Sequence, residues 1–464
     1  MRHIVIIGNG IAGITAARHL RKQSNDRITV VSAETDHFFS RTALMYIYMG
    51  HMTYAQTKPY EDFFWAKNRI DLCRARVTQL DASRRTLTLS AVDGSTPPTQ
   101  PTLTYDVLIL ATGSQPNLGD WPGKALDGVQ GLYGKPDLDR MEASTAGIRQ
   151  AVVVGGGLIG IELCEMLQSR GISVSFLIRE SSFWRSVLPA DESALVTRHI
   201  REHHITLITD DELSELRDDG TGRVSSLRTK AGLELPAQFV GVAIGVSPNI
   251  AFLQGSGLET DRGILVDAQL RTNLPDVYAI GDCVQHRNPP VDPVGASRKP
   301  LEQIWYTGRI MGETVAQTIL GTPTPYQPGV FFNSAKFFDI EYQVYGTVLS
   351  QLPADNSIRS FYWEHPDGRK AMRINYRTAD GAVVGMNALG IRQRQAVWQQ
   401  WIETGQSIAY TLEHLPQANF DPEFFAQHEA AIIARYNAEN PERTVRIRVK
   451  KGLFGLHWKR SVSG

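Results

Sequence analysis

The residues in this sequence whose types and spacing suggest chemistry are two glycine triplets and one acid. Gly8, Gly10 and Gly13 follow the apolar run Ile4-Val5-Ile6-Ile7 at GxGxxG spacing and open a stretch, through Leu20, with apolar or small residues at helical intervals. In such a strand, turn and helix the first glycine shapes the turn, the second lets a pyrophosphate approach the main chain, and the third lets the helix pack on the strand. The helix N-terminus then offers unpaired N–H groups and the positive end of its dipole to phosphates. Glu34 follows the next apolar run, Ile28-Thr29-Val30-Val31, about 20 residues on, where an acid holds a ribose. Gly155, Gly157 and Gly160 repeat the pattern after Ala151-Val152-Val153-Val154.

The repeat extends beyond the glycines. Ala111-Thr112-Gly113-Ser114-Gln115-Pro116-Asn117 has a partner in Ala243-Ile244-Gly245-Val246-Ser247-Pro248-Asn249. Two complete dinucleotide units therefore lie one after the other, since a chance pair of glycine loops would not share both ends.

Other reactive side chains are sparse. The three cysteines, Cys73, Cys164 and Cys283, are far apart and form no CxxC or metal pair, so they read as small buried hydrophobes. At 464 residues the chain suggests two to four domains. With 48 basic and 48 acidic residues there is no global field for nucleic acid or an anionic membrane. No apolar run reaches the length of a membrane span, and the glycine turn arrives too early for a signal peptide, so a cytoplasmic location is expected.

The remaining elements are read in order. Asp36 to Tyr46 is a loop passing into a helix. Strands near Thr86–Ser90 and Tyr105–Leu110 flank the turn residues 93–98 and predict a hairpin-like insertion with a proline-rich tip. Strand-like runs at 263–267 and 276–283 precede a helix around 303–320. From about residue 330, short β-type runs at 342–346, 361–363, 371–376 and 382–386, closed by a helix around 392–404, predict a compact α+β domain. The end is basic: Arg443, Arg446, Arg448, Lys450, Lys451, Lys459 and Arg460.

These motifs in combination resemble the pyridine nucleotide-dependent FAD oxidoreductases built like glutathione reductase, most of all the ferredoxin, rubredoxin and nitrite reductase type branch. The resemblance covers about residues 1–410. It implies two Rossmann-like dinucleotide-binding domains, the NAD(P) domain inserted in the FAD domain, plus a C-terminal α+β domain. The expected boundaries are 1–118 and 248–328 for FAD, 119–247 for NAD(P)H, 329–425 for the C-terminal domain and 426–464 for the basic tail. It further implies that Gly8, Gly10, Ile11, Ala12, Gly13 and Glu34 hold the ADP half of FAD, with Val77 also on that cofactor. Arg41 would approach the diphosphate or flavin side, Thr112 and Gly113 would line the cleft, and Gly281 with Asp282 would meet the ribityl hydroxyls. Trp305 falls near the segment that covers the flavin pyrimidine. Gly155, Gly157, Leu158, Ile159, Gly160 and Gly245 would carry NAD(P)H.

Two departures from the family matter. Thiol-using members carry reactive cysteine just after the first ribose acid; here that segment has none, so dithiol or CoA-disulfide chemistry is not expected. In the ferredoxin reductase branch a lysine pairs with the glutamate of the second motif beside flavin N5. Here the glutamate is Glu162 and Tyr46 stands in the lysine's place. Both are candidate catalytic residues, against the alternatives of a packing aromatic at Tyr46 and of an acid stabilised in a helix's first turn at Glu162.

For the nucleotide, counting along Ile172 to Glu180 puts the NAD-type acid position at Ile178, with Arg179 next and Arg185 six residues on. That spacing favours NADPH over NADH, and Glu180 argues the other way. The expected function is an FAD-dependent NAD(P)H oxidoreductase delivering electrons to an acceptor, preferably a ferredoxin- or rubredoxin-like acidic carrier docked by the basic tail, against the alternative of a solvated charged terminus. The alternatives are an NAD(P)H oxidase or nitrite reductase-like component, and a flavoprotein with a structural or signalling role like apoptosis-inducing factor. No metal is expected, and in relatives the C-terminal domain carries partner contacts and, in a homodimer, subunit contacts.

Overall fold

A computed structural model describes residues 1–92, 100–292, 295, 298–421 and 423–448. They form two compact units, residues 1–329 with 335–338, and residues 330–334 with 339 onward.

The first unit contains two parallel sheets. One has the order Val277–Ala279, Val107–Leu110, His3–Ile7, Arg27–Ser32, Ile70–Arg74. The other has the order Thr206–Ile208, Ser173–Leu177, Gln150–Val154, Phe239–Val242, Val129–Gln130. Continuous apolar runs such as Val107-Leu108-Ile109-Leu110 are buried throughout, as expected where helices cover both faces. Because Val277–Ala279 rejoins the first sheet after the second is complete, the second dinucleotide unit is inserted in the first.

The helices Ile11–Gln23 and Leu158–Ser169 follow the two central strands. Each glycine turn places the helix hard against its own strand end. A Cβ on Gly13 would lie 2.1 Å from the Gly8 carbonyl oxygen, and one on Gly160 2.1 Å from that of Gly155. Only glycine fits at both points. The small-residue segments at the two repeat ends pair with each other: Ser114–Pro116 runs antiparallel to Val246–Pro248, with Gln115 opposite Ser247. The similarity read as a repeat is thus also a physical joint.

One strand pairing differs from the sequence expectation. Thr86–Ser90 pairs antiparallel with Thr102–Thr104 and with Arg76–Asp81, while Val107–Leu110 belongs to the parallel sheet. Four consecutive buried apolar residues suit a two-sided core better than a hairpin open to water on one face. The proline-rich tip expected at 93–98 lies outside the described residues.

In the second unit, Ile340–Gly346, Val383–Leu389, Ala371–Arg377 and Ile358–Glu364 lie side by side, antiparallel. Helices Gln395–Glu403, Ile408–Glu413 and Glu429–Glu439 complete it. Trp398 is fully buried and donates its indole N–H to Gln393 Oε1 at 3.0 Å, while Phe361 meets Tyr436 edge to face. Among the described residues no helix is long and apolar enough to cross a membrane.

Candidate functional site

Two open cradles sit at the ends of the central strands. Gly8 takes a φ of +112°, and a Cβ on Gly10 would meet nothing within 4 Å. The helix Ile11–Gln23 has no side-chain cap and no acid in its first turn, so its N–H donors and the space above them are available to an anion. Gly157 and the helix Leu158–Ser169 repeat this arrangement: no side-chain cap, no acid in the first turn, and open space at the glycine. These features fit the pyrophosphates of two dinucleotides. Ile11, Leu158 and Ile159 are half-buried at the two helix starts, whereas Ala12 is buried beneath Gly281.

Around the first cradle the residues singled out from sequence converge. Asn9, inside the glycine turn, donates through Nδ2 to the Thr35 carbonyl at 2.8 Å and so ties the turn to the Glu34 loop. Glu34 receives Arg41 NH1 at 2.9 Å and NH2 at 2.6 Å, a bidentate pair. Glu34 Oε1 also accepts the Lys135 amide at 3.0 Å, and Arg41 NH1 donates to the Tyr133 carbonyl at 2.6 Å. Arg41 lies over the Tyr133 ring, 4.4 Å from its centroid. Asp282, in the short turn Gly281–Cys283, accepts the Tyr133 hydroxyl at 3.1 Å. Burial raises the Asp282 carboxyl above its ordinary range, opposed by the Tyr133 hydrogen bond and by Arg41. The Ser114 amide donates to the Tyr133 hydroxyl at 2.9 Å, beside Gly113 and the half-buried Thr112.

Sequence reasoning did not find Tyr133, Lys135 or Gln303, whose amide donates to Ser114 Oγ at 2.8 Å. Capping offers the one local signal for the first two. Gly134 opens the helix Lys135–Thr145, and Asp137 accepts the Gly134 amide at 2.9 Å, so Tyr133 sits at a fixed helix entry. Trp305 begins the helix Trp305–Ile319 and meets Tyr306 edge to face. Val77 is buried in the core, opposite Leu89 in its strand pair.

A second cluster flanks the helix Leu158–Ser169. Glu162 lies in the second turn of that helix, not the first, and its first turn holds no acid. The dipole account of this residue therefore fails. Burial, with the Glu165 carboxylate three residues on, instead pushes Glu162 up to about 7. Glu165 is tied to Lys336 of the strand Phe332–Phe337, Nζ to Oε1 at 2.6 Å. The same ammonium lies 5.9 Å from the centroid of the Tyr46 ring, and the His51 ring lies 6.3 Å from it, centroid to centroid. Lys336 comes from nearly 300 residues beyond Tyr46, and no local sequence pattern announces it.

In the second dinucleotide unit, Arg179 is exposed and Glu180 half-buried just beyond the strand Ser173–Leu177. Arg185 donates to the Leu188 carbonyl at 3.3 Å within its own loop, and Gly245 is exposed with a φ of +108°. No cysteine forms a disulfide: Cys73 is half-buried, Cys164 and Cys283 are buried, and burial raises the thiol of each. Such thiols are poor nucleophiles.

Fold and site together define a protein with two tandem dinucleotide cradles and no reactive thiol between them. Residues 2–309 match the pyridine nucleotide-disulphide oxidoreductase family, and the chain belongs to it. The chain is 31% identical over 290 residues to a nitrite reductase [NAD(P)H] of Bacillus subtilis, covering 62% of this chain and 35% of that one. It is 30% identical over 328 residues to a nitric oxide reductase FlRd-NAD(+) reductase of Aeromonas hydrophila, covering 70% and 78%. It spans about a third of the length of the first two curated relatives it matches, 35% and 36%. Among solved structures, a NAD-dependent persulfide reductase from A. fulgidus shares the fold with a TM-score of 0.81 at 24% identity, over 95% of this chain and 83% of that one. Membership of the family implies FAD and NAD(P)H as cofactors.

Proposed function

We propose that the chain is an FAD-dependent NAD(P)H oxidoreductase that passes electrons from the flavin directly to a ferredoxin- or rubredoxin-like carrier. The single observation that carries this reading is the pairing of two tandem dinucleotide cradles with cysteines that are scattered, unpaired and raised in pKa. FAD, when bound, supplies a two-electron acceptor for the nicotinamide hydride and a donor able to release electrons singly.

The protein's own part is orientation and charge. The first cradle, at residues 1–118 and 248–328, holds one dinucleotide through its helix N-terminus, with Glu34, Arg41 and Tyr133 fixing the edge of the site. The second cradle, within residues 119–247, receives NAD(P)H. Burial and the Glu165 carboxylate push Glu162 up to about 7, so it exchanges its proton around neutral pH, and Lys336 balances the neighbouring Glu165. A carboxyl poised at that value can give or take the proton that accompanies hydride transfer.

Relatives named as ferredoxin reductase subunits and as a nitric oxide reductase FlRd-NAD(+) reductase support the carrier as acceptor. A NADH oxidase of Methanocaldococcus jannaschii, 26% identical over 405 residues, favours the competing reading in which oxygen is the acceptor. Anaerobic reduction of the purified flavoprotein by NADH and NADPH, followed by an acceptor panel, decides between them. Fast reduction of an iron-sulfur carrier with slow oxygen uptake is the expected result; fast oxygen uptake without a carrier overturns it. Of the basic tail, Arg443, Arg446 and Arg448 are described and Lys450, Lys451, Lys459 and Arg460 are not. Deleting residues 441–464 is expected to slow carrier reduction and spare ferricyanide; equal effects on both would remove the tail from docking.

A further inference from the structure

The two dinucleotide units can be aligned by their own hydrogen bonds, without reference to residue counts. The Gly8 amide donates to the Val31 carbonyl at 2.8 Å, and the Gly155 amide to the Leu177 carbonyl at 2.9 Å. Ile7 stands opposite Val31 in the first sheet, and Val154 opposite Leu177 in the second. One residue further, the Ser32 carbonyl accepts the Ala75 amide at 3.1 Å, and the Ile178 carbonyl accepts the Asp211 amide at 3.4 Å. Val31 therefore corresponds to Leu177 and Ser32 to Ile178. The counterpart of Glu34, three residues beyond Val31, is Glu180. Reading along the run Ile172 to Glu180 places the acid at Ile178, two residues early, because the sequence does not show where the strand ends.

Glu180 also differs from Glu34 in what surrounds it. Both oxygens of Glu34 are engaged by Arg41 and the Lys135 amide. Glu180 has a backbone fixed by the Asp210 amide, which donates to its carbonyl at 3.2 Å. Its Oε2 is buried and has no hydrogen-bond partner among the described residues. A buried acceptor without a donor is costly, and hydroxyl donors would remove that cost. A 2′-phosphate at the same place would set a dianion against a fixed carboxylate. Arg179 is exposed beside it, and Arg185 is engaged with Leu188 in its own loop.

We propose that Glu180 accepts the adenosine ribose hydroxyls of the reducing nucleotide and makes this site selective for NADH over NADPH. The proposal rests on the reading of this unit as the NAD(P)H cradle. It makes Glu180 the specificity-determining residue and leaves Arg179 without a phosphate to hold.

The test uses the flavin-loaded protein. Binding of NAD+ and NADP+ is measured by calorimetry, and single-turnover flavin reduction is measured with NADH and NADPH, for wild type, Glu180→Gln, Glu180→Asp and Arg179→Ala. Wild type is expected to bind NAD+ at least about tenfold more tightly than NADP+. Glu180→Gln is expected to weaken NAD+ about tenfold, with NADP+ unchanged or tighter, so that the preference collapses. Glu180→Asp keeps the charge and the sign of the preference, which separates a specific effect from a damaged fold. Arg179→Ala is expected to change NADP+ affinity less than twofold. Wild-type preference for NADP+, an unchanged ratio in Glu180→Gln, or a large NADP+ loss in Arg179→Ala each overturns the assignment. If neither nucleotide binds or reduces the bound flavin, the functional reading itself fails and the specificity argument falls with it.

Discussion

Replacing Glu162 by Gln should change the pH dependence of folding stability by an amount set by its environment. The carboxyl is raised from 4.5 to about 7 by burial and by the Glu165 carboxylate. Below pH 4.5 it is protonated in both the folded and unfolded states, so it contributes no slope. Between 4.5 and 7 the folded state keeps a proton that the unfolded state has lost, so stability falls as pH rises. Above 7 both states are ionised and the loss is complete. A shift of about 2.5 units corresponds to about 3 kcal/mol in all, of which roughly 2.5 kcal/mol falls between pH 5 and pH 8.

Glutamine has the same shape and no titration. The assay is urea unfolding of wild type and Glu162→Gln at several pH values, with the stability difference between the two plotted against pH. Any fixed cost of the substitution shifts the whole curve, and all other titrating groups cancel in the difference. The variant should therefore gain on wild type by about 2–3 kcal/mol from pH 5 to pH 8. A flat difference curve would mean that Glu162 is ionised in the folded protein, and the proton-holding role would be lost.

The other predictions concern the cradles and a buried histidine. Gly13→Ala forces a Cβ to 2.1 Å from the Gly8 carbonyl oxygen and should yield protein with little bound flavin by absorbance. Gly160→Ala makes the same clash at the second cradle and should keep its flavin while losing at least about tenfold in nucleotide affinity; equal flavin content in the two variants would refute the division of labour. His286 is buried against Tyr326, with ring centroids 5.0 Å apart, and burial together with Arg298 lowers it to about 4. Its neutral form stabilises the fold above pH 6.5, and that stability is lost as pH falls towards 4, by about 3 kcal/mol. His286→Phe should flatten this acid limb in denaturant melts, and an unchanged limb would contradict the assignment.

The glycine turns were legible in the sequence because their constraint is local. A helix that must touch its own strand end admits only glycine at Gly13 and Gly160, wherever the rest of the chain goes. The paired ends Ser114–Pro116 and Val246–Pro248 were legible for the same reason, as two copies of one local solution. What escaped was set by distant partners. The run Val107–Leu110 gives no sign of whether its neighbour is a hairpin strand or His3–Ile7, since both readings bury apolar residues. Glu162 looks like a first-turn acid until the helix start is fixed at Leu158. Tyr133, Gln303 and Lys336 reach the site from remote segments, each carrying a residue type that is common on any surface. The shift from Ile178 to Glu180 has a related origin, because strand ends depend on hydrogen bonds that spacing does not show.

The central claim is that electrons leave this protein from its flavin with no thiol relay. Anaerobic titration of the flavin-loaded protein with dithionite and with NADH, followed by absorbance, counts the redox centres directly. One two-electron equivalent per FAD should complete the reduction, with no cysteine becoming newly reactive to a thiol reagent. Uptake of four electrons per FAD, or appearance of a titratable thiol pair, would contradict the account.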